Sequence, residues 1–143
     1  MQLSRFTDYS LRVLFYVTLN SNRLATLSEI AQFYDISLEH LRKVVHALGK
    51  SGHLETFRGK NGGIRLALAP ESINLGTLIL LTEGAAPLVD CLRGPCRLVT
   101  SCTLQTVLEE ARQAFFDTLS KYTLADLLTH KPLRDELIAV ESA

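Results

Sequence analysis

The sequence predicts a mostly α fold with a small β-hairpin wing: a winged helix-turn-helix domain followed by a long C-terminal dimerisation helix. Three observations predict it. Two short amphipathic segments meet across the tight turn Tyr34-Asp35-Ile36-Ser37, the layout of a helix-turn-helix. Two short alternating runs, residues 53–57 and 64–68, then flank RGKNGG, whose glycines allow the positive φ angles of a hairpin tip. Last, residues 103–121 form a long amphipathic segment whose apolar stripe needs a surface to cover it.

The first helix is expected over residues 7–19, with Leu11, Leu14, Phe15 and Thr18 at helical spacing and Thr7 as its N-cap. The second starts at Thr26, where Thr26 and Glu29 have the spacing of a capping box and Leu27, Ile30, Ala31 and Tyr34 follow the i, i+3, i+4, i+7 rule. Ser37 caps the third, whose apolar positions are Leu38, Leu41, Val44, Val45 and Leu48, and Ser51-Gly52 stops it. After the hairpin, a linker leads to a fourth helix in which Ile73, Leu75, Leu78, Ile79 and Leu81 are expected to be buried and which Pro87 ends. The 103–121 helix carries Leu104, Val107, Leu108, Ala111, Phe115, Thr118 and Leu119 on one stripe, and YTLADLL near the end forms a short helix docked on the core. Residues 1–70 are read as the DNA-binding domain, and 71–143 as a region holding a cysteine loop (88–103) and the dimerisation helix.

A composition of 47% hydrophobic and 21% charged residues is that of a soluble globular chain. No apolar stretch approaches the roughly 20 residues that cross a bilayer, and the N-terminal residues lack a signal-peptide pattern, so a cytoplasmic protein without a membrane partner is expected. The net charge of zero conceals a division: residues 1–69 hold nine Lys/Arg against five acids, and residues 70–143 six against ten. A polyanion would meet the N-terminal half.

The third helix sharpens this. His40, Lys43, Ala47 and Lys50 fall along one side, with Arg42 and His46 beside it. Such a helix can enter a major groove of double-stranded DNA while a cationic wing tip, here Arg58, Lys60 and Asn61, follows neighbouring phosphates or the minor groove. Ser37, His40, Arg42 and Lys43 are assigned to the major groove or its flanking phosphates, and Thr26 and Ser28, at the start of the second helix, to phosphate. A helix-turn-helix regulator with a long free stripe is expected to be a homodimer on a palindromic operator.

All three cysteines, Cys91, Cys96 and Cys102, stand in one stretch, DCLRGPCRLVTSCTL, with Gly94-Pro95 forcing a turn and Ser101 or Thr103 able to cap the following helix. In a reducing compartment clustered thiols point to metal or redox chemistry. Soft sulfur ligands suit zinc, copper(I) or iron-sulfur clusters. Paired CxxC spacing of structural zinc is absent, no histidine lies nearby in sequence, and the fourth ligand must come from elsewhere. Zinc and bare thiols stay open on the residues alone.

FTDYSLRVL near the start, RGKNGGIRLA at the wing, the three-cysteine loop and YTLADLL near the end together resemble the nitric-oxide-sensing repressors of the winged-helix family that also contains the iron-sulfur regulator IscR. The resemblance runs through nearly the whole chain. It implies a homodimeric transcriptional repressor with one iron-sulfur cluster per subunit, held by Cys91, Cys96 and Cys102, a 4Fe-4S cluster rather than 2Fe-2S. It further implies that the partner subunit's Asp8 completes the cluster, with Arg12 one turn later close to it, and that nitric oxide, as the signal, dismantles the cluster and releases the operator. IscR-like sequences place a histidine three residues after the third cysteine; here that residue is Gln105, which favours the nitric oxide sensor over a sensor of iron-sulfur status.

A regulator of the same fold that senses oxidation through zinc or bare thiols is the alternative. An enzyme, such as a small cysteine-dependent redox protein, is the reading from another class. A thiol nucleophile needs a base within reach, and the sequence has no Gly-rich phosphate loop, HExxH or GxSxG. No enzymatic function is expected.

Overall fold

The computed structural model describes residues 1–138, so the last five residues of the expected second region lie outside the described residues. The order of elements is α1 (Arg5–Leu19), α2 (Leu27–Tyr34), α3 (Leu38–Lys50), β1 (Leu54–Phe57), β2 (Gly63–Leu66), a 3-10 turn at Pro70–Ser72, α4 (Leu75–Glu83), α5 (Thr103–Leu119), α6 (Leu124–Leu127) and α7 (Lys131–Ile138). Among the described residues no helix is long and apolar enough to cross a membrane.

The first helix begins two residues earlier than its periodicity suggests. Ser4 is the N-cap, its hydroxyl oxygen accepting from the Thr7 amide at 3.2 Å. Thr7 is instead fully buried, and its hydroxyl donates to Thr82 Oγ1 of α4 at 2.8 Å. A residue with a tertiary partner of that kind has no reason to face outward as a cap.

The caps of α2 and α3 are those the sequence indicates: Thr26 accepts from the Glu29 amide and Ser37 from the His40 amide. Between these helices Asp35 takes the left-handed conformation, φ 53° and ψ 50°, a state that the short polar side chain of Asp tolerates. Gly52, at φ 80°, then releases the chain from α3.

The hairpin is antiparallel, with Leu54 opposite Leu66 and Phe57 opposite Gly63. It is tied to the start of the helix-turn-helix by a pair of hydrogen bonds between Ala25 and Ile64, 3.0 and 2.7 Å long. Gly63 makes that approach possible, because a Cβ there would stand 2.7 Å from the Ala25 carbonyl oxygen. The wing is thereby held at a fixed place beside α2 and α3.

Leu14, Ile30, Leu41, Leu48, Ile73, Leu78 and Leu124, each no more than 1% exposed, come from α1 to α4, the turn before α4, and α6, and share one core to which α5 adds no buried residue. Leu137 of α7, an element with no sequence expectation, joins it. The short helix of YTLADLL docks there as expected, through Leu124 and Leu128.

Two expectations about α4 are corrected. The helix ends at Gly84, φ 84°, whose amide donates to the Leu80 carbonyl at 2.9 Å, and not at Pro87. Leu81 is 54% exposed rather than buried, because the buried face of this helix runs through Leu75, Leu78 and Ile79. Leu104 and Val107 of α5 are likewise 62% and 58% exposed, so the outer part of that apolar stripe has no cover within one chain.

Candidate nucleic-acid interface and thiol loop

The outward side of α3 presents His40, Arg42, Lys43, His46 and Lys50, all exposed. They are outside because Leu41, Val44, Val45 and Leu48 on the same helix are no more than 4% exposed. The only carboxylate near them in the helix, Glu39, stands 3.8 Å from Arg42, a loose contact on a side chain 59% exposed, of little energetic weight.

Ser37 is exposed, and its hydroxyl oxygen is occupied with the helix cap, which leaves its proton free to donate outward. Thr26 is more committed. Its hydroxyl accepts from the Glu29 amide and donates to Glu29 Oε2 at 3.0 Å, so any contact from this corner falls to the free N–H groups of the first turn and to the exposed Ser28.

At the wing tip Arg58, Lys60 and Asn61 are exposed, around a turn in which the Gly62 amide donates to the Gly59 carbonyl at 3.1 Å. Gly59 itself is at φ 100°, where a side chain would be strained. Arg65, by contrast, is spent on the wing itself: it donates to Glu55 at 2.8 Å and its guanidinium lies 4.8 Å from the Phe57 ring centre.

Sequence reasoning overlooked two sets of polar partners. Arg23, in the turn before α2, is bound to Glu29 and to the Leu24 carbonyl. Burial pushes the Glu29 carboxyl up, but the hydrogen bonds from Arg23 and Thr26 outweigh it and hold it below the usual carboxylate range. Only the Thr26 to Glu29 spacing hinted at this. The other set is Glu83, which accepts from the Ser4 amide and ties α4 to the start of α1; a contact across so much sequence leaves no local signal.

Residues 84–102 contain no helix or strand and carry the three cysteines. All three are free thiols; Cys91 and Cys102 are half-buried and Cys96 is exposed. Backbone and side-chain turns shape the loop: the Cys96 amide donates to the Gly94 carbonyl at 2.8 Å, and Arg93 is bound to Asp90. Neither Ser101 nor Thr103 caps α5. Cys102 stands at the N-cap with no side-chain hydrogen bond, which leaves the positive end of a 17-residue helix next to that sulfur.

Among the described residues no three metal-ligating side chains converge in the single chain. Asp8, on α1, is paired with Arg12, whose guanidinium also lies 5.7 Å from the centre of the Tyr34 ring. The donor set nonetheless suits an iron-sulfur centre. Three soft thiols are uncommitted to disulfides, and the sulfur at an uncapped helix start is placed where negative charge is favoured.

A family model for Rrf2, described as an iron-dependent transcriptional regulator, matches residues 3–130. Among individual relatives, the HTH-type transcriptional regulator NsrR of Bacillus licheniformis is 49% identical over 135 residues, covering 92% of this chain and 94% of that protein. The regulator of the same name from Halalkalibacterium halodurans is 46% identical over 144 residues, covering 98% and 97%. The solved structure of T. potens IscR matches with a TM-score of 0.72 at 24% identity, covering 90% of this chain and 86% of that one, which supports the fold.

Proposed function

The chain belongs to the Rrf2 family of iron-dependent transcriptional regulators, and from that membership we propose that it is a DNA-binding repressor that senses nitric oxide through an iron-sulfur cluster. Its relatives are regulators and not enzymes, so the thiol loop is a sensor and not a catalytic site. The observation that carries the sensing half is the loop itself. Three free thiols stand on an irregular segment that runs directly into α5.

Cys91, Cys96 and Cys102 would hold one cluster per subunit, 4Fe-4S in preference to 2Fe-2S, and the partner subunit's Asp8 would complete it. When bound, the cluster supplies iron sites with which nitric oxide reacts, and an aspartate oxygen is the hardest and most displaceable ligand on such a centre. An Asp8 carboxylate released from such a centre would be held by Arg12, its partner in the structure. Cys102 is the residue before α5, so rearrangement of the loop is transmitted first to the helix whose uncovered stripe, through Leu104 and Val107, is the homodimer face.

The DNA-facing half rests on the exposed cations of α3 and the wing. Ser37, His40, Arg42 and Lys43 meet the major groove or its flanking phosphates, Arg58, Lys60 and Asn61 the adjoining backbone or minor groove, and the start of α2 at Thr26 and Ser28 a phosphate. Two-fold symmetry of the dimer makes the operator palindromic.

The test is anaerobic purification with iron and sulfide analysis, followed by nitric oxide titration with simultaneous readout of promoter-fragment binding. A brown protein that bleaches as DNA is released is the expected result. A colourless zinc protein, or DNA binding indifferent to nitric oxide, would sink the cluster mechanism and leave a same-fold regulator acting through its thiols.

A further inference from the structure

Between α3 and the wing lies an open groove of about 700 Å³. Its walls hold Arg42, His46 and Lys50 from α3 and Thr56 and Arg58 from the hairpin. No carboxylate lines it, and its floor is the apolar trio Leu27, Val45 and Leu54. From this groove we infer that α3 divides its polar surface between two tasks. His40, Lys43 and Ala47 face the bases, while Arg42, His46, Lys50, Thr56 and Arg58 clamp one sugar-phosphate strand between the recognition helix and the wing.

The sequence periodicity explains the division. Arg42, His46 and Gly49 are spaced i, i+4, i+7 and so form a second stripe, offset from His40, Lys43 and Ala47, while Lys50, in line with the first stripe, borders the groove from the last turn of the helix. The second stripe borders the apolar face that packs on the hairpin, so it turns toward β1 and not directly outward. An open cationic groove lined by no carboxylate suits a polyanionic strand better than it suits base edges, which need neutral donor and acceptor patterns as well as charge.

Gly49 gives the groove its depth. A Cβ there would meet a single atom within 4 Å, the Leu54 carbonyl oxygen at 3.9 Å. The position therefore accepts a Cβ without collision, the open groove lies beyond it, and since it lies inside α3 a larger residue also suits the helix better than glycine. What a larger side chain would do is fill the space that a phosphate strand occupies.

This inference rests on the DNA-binding reading, and the experiment separates the two. Full-length protein is titrated with a random-sequence duplex of about 30 base pairs across a range of salt, so that phosphate contacts dominate. Lys50→Ala and His46→Ala are expected to lower affinity several-fold, and Lys50→Ala to reduce the salt slope by about 1. Gly49→Leu, which removes no charge, is expected to weaken binding by about tenfold or more with its unfolding midpoint unchanged or raised. Arg134→Ala, a cation on α7 away from the groove, is the control and should bind as the parent does.

A parent protein that holds no duplex at low salt would remove the DNA-binding reading and the groove with it. A parent that binds, with Gly49→Leu binding equally well or with Arg134→Ala as damaging as Lys50→Ala, would overturn the groove alone.

Discussion

Arg12 closes two hydrogen bonds on Asp8 one helical turn before it, Nε to Oδ1 at 3.1 Å and Nη2 to Oδ2 at 2.9 Å. The same guanidinium lies over the ring of Tyr34, the last residue of α2, and the Tyr34 hydroxyl donates to the Arg12 carbonyl at 3.0 Å. Burial pushes that phenol well above its ordinary value, so it stays a donor at any physiological pH. One arginine thus joins the proposed exchangeable ligand to the turn of the helix-turn-helix.

The pair is 41% and 46% exposed on its two sides, and an exposed i, i+4 pair stabilises a helix by only about 0.3–0.5 kcal/mol. Asp8→Ala is therefore expected to leave the urea midpoint of the cluster-free protein nearly unchanged. In the loaded protein it should speed the loss of iron to a chelator, because a ligand is gone while three thiols remain. Equal release rates in variant and parent would remove Asp8 from the ligand set.

Cysteine substitutions should separate cofactor from fold in the same way. None of the three thiols is in a disulfide and none is fully buried, so each Cys→Ser change at positions 91, 96 and 102 is expected to shift stability by no more than about 0.5 kcal/mol. Each should nevertheless abolish most of the iron and sulfide retained on anaerobic purification. A variant that loses iron only because it unfolds would betray itself by a lowered melting temperature.

How much of this was legible beforehand depended on the range of the interactions. The helix-turn-helix, its Thr26 and Ser37 caps and the glycine-rich wing tip are dictated by neighbours within four residues, and they stand where the sequence indicates. The start of α1 was misplaced because Thr7 has its partner in Thr82, 75 residues away. Leu81 was misread for a related reason: a helix that is apolar on all sides carries no internal sign of which face will be covered. The cation groove was half visible, since His46 and Lys50 were seen to be polar, but only the docking of the hairpin through Ala25 and Ile64 shows which stripe faces the wing.

At Gly76, α4 passes close to the end of α5. A Cβ on it would collide with Ser120 Oγ and stand 3.0 Å from both the Phe116 carbonyl oxygen and Ser120 Cα. The hydroxyl can rotate away, but the backbone atoms cannot. Gly76→Val is expected to force the helices apart at a cost of about 1–3 kcal/mol, measured by urea unfolding. Since α5 is the helix that Cys102 begins, the variant should also lose its metal faster, whereas Thr77→Val on the exposed neighbour should do neither.

His53 offers a prediction about pH. It sits at the base of the wing, with its amide donating to the Leu48 carbonyl and its carbonyl accepting from the Ala67 amide, both at 2.9 Å, and Nδ1 2.8 Å from Ser51 Oγ. Burial disfavours the charged imidazolium and lowers its pKa from the ordinary 6.5. Between that lowered value and 6.5 the unfolded chain holds more protons than the folded one, so stability falls as pH drops through this window. It is unaffected by His53 above the window, and below it the loss stops growing. His53→Asn, which keeps a polar partner for Ser51, is expected to flatten this part of the curve of urea midpoint against pH. The other three histidines are exposed and common to both proteins, so the difference between the curves isolates His53. Parallel curves for variant and parent across the window would show that the imidazole is not shielded at the base of the wing.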